Sequence, residues 1–255
     1  MKLIRLSDRD TKTLKKIQKL GSPRSFIQPP DYKNRVVVKP WGHEFLVFQN
    51  EHVAVWCLRL EKGQATSMHC HPKKKTSLIV LSGQALCNTF FNRNYLNGVD
   101  GIVIEAGVFH STQALSQNGC DIIEIETPPD KLDLVRLDDQ YGRSGKGYEG
   151  MSEMKSGNLE RYNHFFFDEI NQNEVFSHFN NTCEISLINI PEERLAKEVL
   201  ILSKGNLFCA CKGGFIGLDG TEIAGIGEVV EGAFLTTFED IKIQTGTVLL
   251  TFKGN

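Results

Sequence analysis

Apolar residues recur along this chain with two different periods. Over residues 7–20 they fall on one stripe of a 3.6-residue helix, Leu14, Ile17 and Leu20, with Ser7 or Asp8 as cap and Gly21 as stop. The spacing predicts a short N-terminal helix, followed by an extended arm in which SPRSFIQPPDYKN holds three prolines and breaks regular structure. Helix and arm make a first segment, 1–34. From Arg35 the pattern changes to short β-branched and aromatic runs: RVVVK, HEFLVFQ, HVAVWCLRL, TSLIVLSG, QALCNTFF, GIVIEAG and CDIIEIET, separated by Gly, Asn and Asp turns. Seven such runs at close spacing predict an antiparallel sandwich or barrel over 35–145.

A polar, glycine-rich stretch follows, and its centre, 146–163, reads as a connector. From His164 to residue 255 a second β-rich region is predicted from EISLINI, EVLILSKG, NLFCACKGG, GFIGLDG, TEIAGIGEVVEG, AFLTTFED, IKIQTG and TVLLTFK. Its rhythm repeats the first region, and LILSKGNLFCACKGG parallels LIVLSGQALCNTFFN, as though one barrel had been duplicated. The second region has His164 and His178 near its start and no histidine further on.

Composition narrows the partner. The chain has 255 residues, 40% of them hydrophobic, enough for one large or two modest cores. Its formal charge of −2 gives no global field for nucleic acid or an anionic membrane, so a small-molecule partner is expected. The N-terminus lacks the apolar core of a signal peptide, and no run approaches the ~20 apolar residues that span a bilayer. A cytoplasmic protein is the expectation. Seven cysteines form an odd set without secretory context and are expected as free buried thiols. Cys209 and Cys211 could share a strand face, but no histidine or second pair accompanies them as a metal site.

The candidate chemistry lies in Gly63–Gly83, GQATSMHCHPKKKTSLIVLSG, read as a β-hairpin. Side chains alternate along a strand, so His69 and His71 project one way and Cys70 the other. His110, in GIVIEAGVFHSTQAL, is a third ligand candidate. Three converging neutral imidazoles suit Zn, Fe, Ni or Cu, and the cofactor expected is a divalent metal (Zn, Fe, Ni or Mn).

The spacing Gly63, five residues, His69, one residue, His71, four residues, Thr76, six residues, Gly83 resembles the first signature motif of the cupin superfamily, whose glutamate position is Thr76 here. Gly107 and His110 match the second signature, with Glu105 where proline is usual. More narrowly, residues 35–145 resemble the cupin domain of type II phosphomannose isomerases, often fused to mannose-1-phosphate guanylyltransferases. Lys39, Pro40, Trp41 and Gly42 match its basic-Pro-Trp-Gly element, Met68 and His69 the start of its histidine cluster, AGVFH its second motif, and IIEIETPPDKLDLVRLDDQYGR its closing segment. The family has adjacent histidines followed by a glutamate, whereas Cys70 and the Pro72 to Thr76 run stand here.

Together with the repeated rhythm of the second region, the resemblance implies an all-β fold of tandem cupin barrels, a bicupin, with the second barrel degenerate. It implies metal held by His69, His71 and His110, completed by Thr76 or water. Lys73, Lys74 and Lys75, with Lys39, Trp41 and Arg143, are candidates for binding an anionic sugar; Glu105 and Glu44 are candidates for proton transfer. A homodimer is expected on superfamily grounds. The leading expectation is a metal-dependent isomerase or epimerase of a sugar phosphate or nucleotide-linked sugar in surface carbohydrate synthesis. A three-histidine Fe(II) dioxygenase and a non-catalytic sugar-binding or regulatory bicupin are the alternatives.

Overall fold

The computed structural model describes residues 2–19, 31–143, 148, 151–168, 175–180 as backbone, and 183–254. Leu20, Gly21, residues 22–30 of the proline-rich arm, much of the connector and the His178 side chain lie outside what is described. Helix α1 spans Asp8–Lys19. Ser7 caps it reciprocally: the Asp10 N–H donates to Ser7 Oγ (3.2 Å) and the Ser7 N–H to Asp10 Oδ2 (3.0 Å), a capping box with aspartate in the acidic place.

The strands are β1 (Lys2–Ile4), β2 (Val36–Lys39), β3 (Gly42–Gln49), β4 (Ala54–Leu60), β5 (Met68–Cys70), β6 (Lys75–Ser82), β7 (Ala85–Thr89), β8 (Arg93–Leu96), β9 (Gly101–Ile104), β10 (His110–Ala114), β11 (Cys120–Thr127), β12 (Val135–Asp138) and β13 (Met154–Lys155). After them come β14 (Val175–Asn180), β15 (Cys183–Ile190), β16 (Arg194–Leu195), β17 (Asn206–Lys212), β18 (Phe215–Ile216), β19 (Glu222–Ala224), β20 (Val229–Glu231), β21 (Lys242–Ile243) and β22 (Thr247–Gly254).

Pairing within β4–β11 is nested. β4 pairs with β11, β5 with β10, β6 with β9 and β7 with β8, so a long hairpin is folded over into two facing sheets. The second region repeats this order strand for strand: β15 with β22, β16 with β21, β17 with β20 and β18 with β19. Two jelly-roll barrels of one topology therefore stand in tandem, all-β apart from α1 and short helical turns.

Four sheets stack as layers, with apolar side chains between each adjacent pair. Sheet I (β1-β9-β6-β11-β4-β3-β2-β13) and sheet II (β12-β5-β10-β7-β8) enclose Trp56, Leu58, Leu78, Val80, Ile122 and Cys87. Sheet III (β14-β15-β22-β17-β20) and sheet IV (β16-β21-β18-β19) enclose Phe208, Leu249, Phe215 and Ile243. Between I and III lies a third core, in which Phe45, Ile79, Ile123 and Ile125 meet Leu187, Cys209, Leu250 and Phe252. The central strands of sheet I are thus buried on both faces, which is why they are near-continuous apolar runs rather than alternating ones.

Several sequence readings change. The histidine strand β5 and the following β6 do not form a hairpin: they lie in different sheets, and the chain crosses between them at 71–74. LIVLSGQALC corresponds in topology to LFCACKGGFI rather than to LILSKGNLFC, a shift of one strand. EVLILSKG yields a helical turn, α2 (Ala196–Val199), and AFLTTFED a second, α3 (Gly232–Leu235), where Phe234 and Phe238 touch at i,i+4 spacing. The connector also adds structure, since β13 extends sheet I beyond β2.

Two motif glycines have local reasons. A Cβ on Gly42 (φ +143°) would lie 2.0 Å from the Arg59 carbonyl oxygen, and one on Gly83 (φ +77°) 2.5 Å from that of Gly119.

Truncating the inter-barrel layer should unsettle both halves at once. Ile125→Ala is expected to cost about 2–5 kcal/mol in one cooperative urea transition; unchanged stability would show that this layer is not a packed core. All seven cysteines are free and buried. Native protein should react with a thiol reagent far more slowly than unfolded protein, and rapid stoichiometric labelling of the native state would contradict this burial.

Candidate functional site

The nested pairing brings the three histidines together. His69 in β5 stands directly opposite His110 in β10, and His71 follows two residues after His69 on the same face. Ring centroids lie 4.5 Å (His69–His110), 5.0 Å (His69–His71) and 5.6 Å (His71–His110) apart, and their donor atoms all fall within 4.8 Å of one another. Each Nδ1 faces a backbone carbonyl: Ser67 at 2.7 Å, Asp133 at 2.7 Å and Val108 at 3.0 Å. A carbonyl only accepts, so each Nδ1 carries a proton, which leaves the Nε2 of a neutral ring with a lone pair for a ligand.

Burial and the neighbouring imidazoles hold His69 well below its ordinary pKa and His110 at about 4, so both are neutral at pH 7. Neutral imidazoles with oriented Nε2 atoms fit a divalent metal, as does the buried His71 Nε2, which has no hydrogen-bond partner among the described residues. In the second barrel the corresponding paired positions are Arg194 opposite Ile243 and Leu195 opposite Lys242, which offer no such set.

Beyond the histidines the barrel end is charged. Along β11, Ile123 and Ile125 face the inter-barrel core while Ile122, Glu124 and Glu126 face the interior. Glu124 Oε1 lies 3.6 Å from His71 Nε2, and His71, Lys131 and Lys74 overcome the cost of burial to hold its carboxyl well below the usual range. Lys131 sits 3.2 Å from Glu44 and 3.3 Å from Glu126, with the Trp56 ring 3.7 Å from its ammonium. Glu126 and Glu44 raise its pKa against burial. Lys74 meets Glu126 at 2.9 Å, Lys39 meets Glu44 at 3.4 Å, and the Tyr148 hydroxyl donates to Glu44. Three buried carboxylates are thereby matched by three ammonium groups, the arrangement that buried charges require.

A cavity of about 50 Å³ adjoins these groups, room for a few water molecules. Lys39, Trp41, Glu44 and Arg143 line it with His69, His71 and Glu124. Arg143 also holds Asp139 at 2.8 Å, its guanidinium keeping that carboxyl low. The lysine run diverges as the chain crosses from sheet II into β6. Lys73 is exposed, Lys74 points inward to Glu126, and Lys75 reaches Glu228 of the second barrel at 2.7 Å. Thr76 is buried opposite Glu126, its hydroxyl without a hydrogen-bond partner among the described residues. Glu105 is not brought to the histidines: its carboxylate accepts the Leu6 N–H (2.8 Å) and ties down the N-terminal segment.

Sequence reasoning passed over Glu124, Glu126, Lys131 and Tyr148. A signal was present in IIEIET, where two carboxylates two residues apart interrupt an otherwise apolar strand and so share one inward face. Nothing local marks Lys131, Tyr148 or Asp133, whose carbonyl orients His71 while its carboxylate accepts the Lys73 and Lys74 N–H groups.

The duplicated nested barrels carry a histidine cluster in the first, and solved structures similar to this chain include cupin-superfamily proteins. Two curated relatives are mannose-1-phosphate guanylyltransferase of Klebsiella pneumoniae (26% identical over 119 residues, 46% of this chain and 25% of that protein) and ManC of Salmonella typhimurium (25% over 114 residues, 44% and 24%). The chain spans about a quarter of the length of these relatives. No family model matches. Among solved structures, KdgF from Halomonas sp. is 18% identical over 36% of this chain and 85% of that one (TM-score 0.35). A cupin-superfamily sugar phosphate isomerase from Silicibacter pomeroyi is 16% identical over 34% and 58% (TM-score 0.32).

The depressed His110 pKa makes metal-free protein acid-sensitive. Between about 4 and the unfolded value near 6.5 the unfolded chain binds the extra proton, so stability present above pH 6.5 is lost as pH falls toward 4. The loss expected is about 3 kcal/mol, read as urea midpoints across this range, and it should shrink in His110→Asn. Parallel profiles for the two proteins would refute the assignment.

Proposed function

We propose that the chain is a metal-dependent isomerase or epimerase of a phosphorylated or nucleotide-linked sugar, acting in surface carbohydrate synthesis. The observation that carries this reading is the juxtaposition of three oriented imidazoles with a buried carboxylate 3.6 Å from one of them, beside a cavity lined by charged side chains of both signs. The names of the curated relatives support a mannose-type substrate. In this reading residues 35–145 are the catalytic unit, 1–34 brace it, 146–163 connect, and 164–255 form a supporting barrel without metal. The working unit is a homodimer and the substrate a small anionic sugar. Among the described residues no helix is long and apolar enough to cross a membrane; the reading assigns a cytoplasmic location.

His69, His71 and His110 would hold a divalent metal, which would supply Lewis acidity at the reacting centre. Glu124, ionised and beside His71, takes a proton from one carbon and returns it to its neighbour. Glu44, bonded to Tyr148, is placed to take the hydroxyl proton and return it to the former carbonyl oxygen. Lys39 and Arg143 hold the anionic end, while Trp41 offers its ring to the sugar face.

Elemental analysis of the protein as purified tests the site, and conversion of an aldose phosphate into its ketose phosphate tests the activity. One equivalent of metal is expected in wild type and little in His69→Ala or His71→Ala. Glu124→Gln should retain metal and lose about 10²–10⁴-fold in turnover. Metal-free wild type would sink the enzyme reading, and metal-dependent oxygen consumption without isomerisation would replace it by the three-histidine dioxygenase.

A further inference from the structure

Beside the buried cavity lies an open groove of about 540 Å³, within the range that receives small-molecule ligands. Thr66 and Ser67 line both, so the segment leading into β5 is the wall between them. The two spaces differ in chemistry. The inner one is built from buried ion pairs; the groove is walled by hydroxyl and amide side chains such as Asn88, Thr89, Ser111 and Gln140.

Its charges do not favour an anion. Arg93 is offset by Asp138, and the Asp139 carboxylate is engaged by Arg143. A diphosphate would meet roughly as much negative as positive charge here, and a ligand with many hydroxyl groups fits better. An aromatic platform completes the groove. Phe90 contacts Phe109 (5.3 Å) and the Arg9 guanidinium (4.5 Å), which holds the hairpin between β7 and β8; the same guanidinium lies 5.9 Å from the ring of neighbouring Phe91, which is 65% exposed. A rigidly held hairpin bearing an exposed ring beside hydroxyl and amide groups suits the C–H face of a pyranose with its hydroxyls hydrogen-bonded around it.

We propose that this groove binds a neutral oligosaccharide of two or more rings, its terminal ring against the Thr66–Ser67 wall. The chain then carries two carbohydrate sites in its first barrel, one charged and buried, one neutral and open. This goes beyond the isomerase reading and does not need the metal.

Titration of the full-length protein with α-1,2-mannobiose, followed by calorimetry, tests it, with GDP as the charged comparison. Saturable binding is expected in wild type and equally in His110→Ala, which separates this proposal from the fate of the metal site. Phe91→Ala, at an exposed position, should weaken binding about two- to tenfold, and Asp138→Asn should weaken it by loss of a hydrogen-bond acceptor. Absence of saturation up to about 10 mM, binding lost in His110→Ala but kept in Phe91→Ala, or GDP binding more tightly than mannobiose through Phe91 would each overturn it.

Discussion

Everything in this molecule is organised around a sheet whose central strands have no solvent face. Sheet I packs on sheet II to close the first barrel and on sheet III to join the second, so its strands β2, β3, β4, β6, β9 and β11 must satisfy two apolar layers. The joint is specific as well as greasy. Ser77 donates to the Gly227 carbonyl (2.6 Å), Asn50 to that of Cys211 (2.9 Å), and Lys75 meets Glu228. With both faces of sheet I held, β6 and β11 form a rigid floor, and sheet II together with the loop after β11 supplies the groups that converge above it.

That floor explains how so much charge survives inside a barrel. Glu124 and Glu126 share strand β11 with Ile123 and Ile125, and alternation alone sends the carboxylates inward and the isoleucines toward the second barrel. A one-residue slip would bury carboxylates in the inter-barrel core at prohibitive cost, so the register is strongly specified. The inward carboxylates then require cations, which Lys39, Lys74 and Lys131 provide from three different parts of the chain. Pairing fixes those ammonium groups, and His71 Nε2 and the Thr76 hydroxyl are among the described buried polar atoms that have no hydrogen-bond partner.

The helix and the N-terminal strand belong to the same logic. Asp10 completes the cap of α1 with one oxygen and accepts the Phe109 N–H with the other (2.9 Å), so the residue before His110 is held from outside the barrel. Duplication of the fold without duplication of the histidines shows that the barrel and its chemistry are separable: the second copy keeps the nested pairing and carries Arg194, Leu195, Lys242 and Ile243 where the first aligns imidazoles.

By itself, the sequence determined what depends on local periodicity. Short β-branched runs specified an all-β chain, His-x-His placed two imidazoles on one face, Ser7 capped its helix, and the absence of histidine in the later strands marked that half as lacking the cluster. Tertiary structure decided what depends on pairing across long separations. It placed β5 and β6 in different sheets, moved Lys75 to the second barrel and Glu105 to the N-terminal segment, and set Glu124, Lys131 and Tyr148 beside the histidines. A side chain's strand face is set by its neighbours in sequence, whereas its partners are set by which strands lie adjacent, and nested pairing joins residues up to about seventy positions apart.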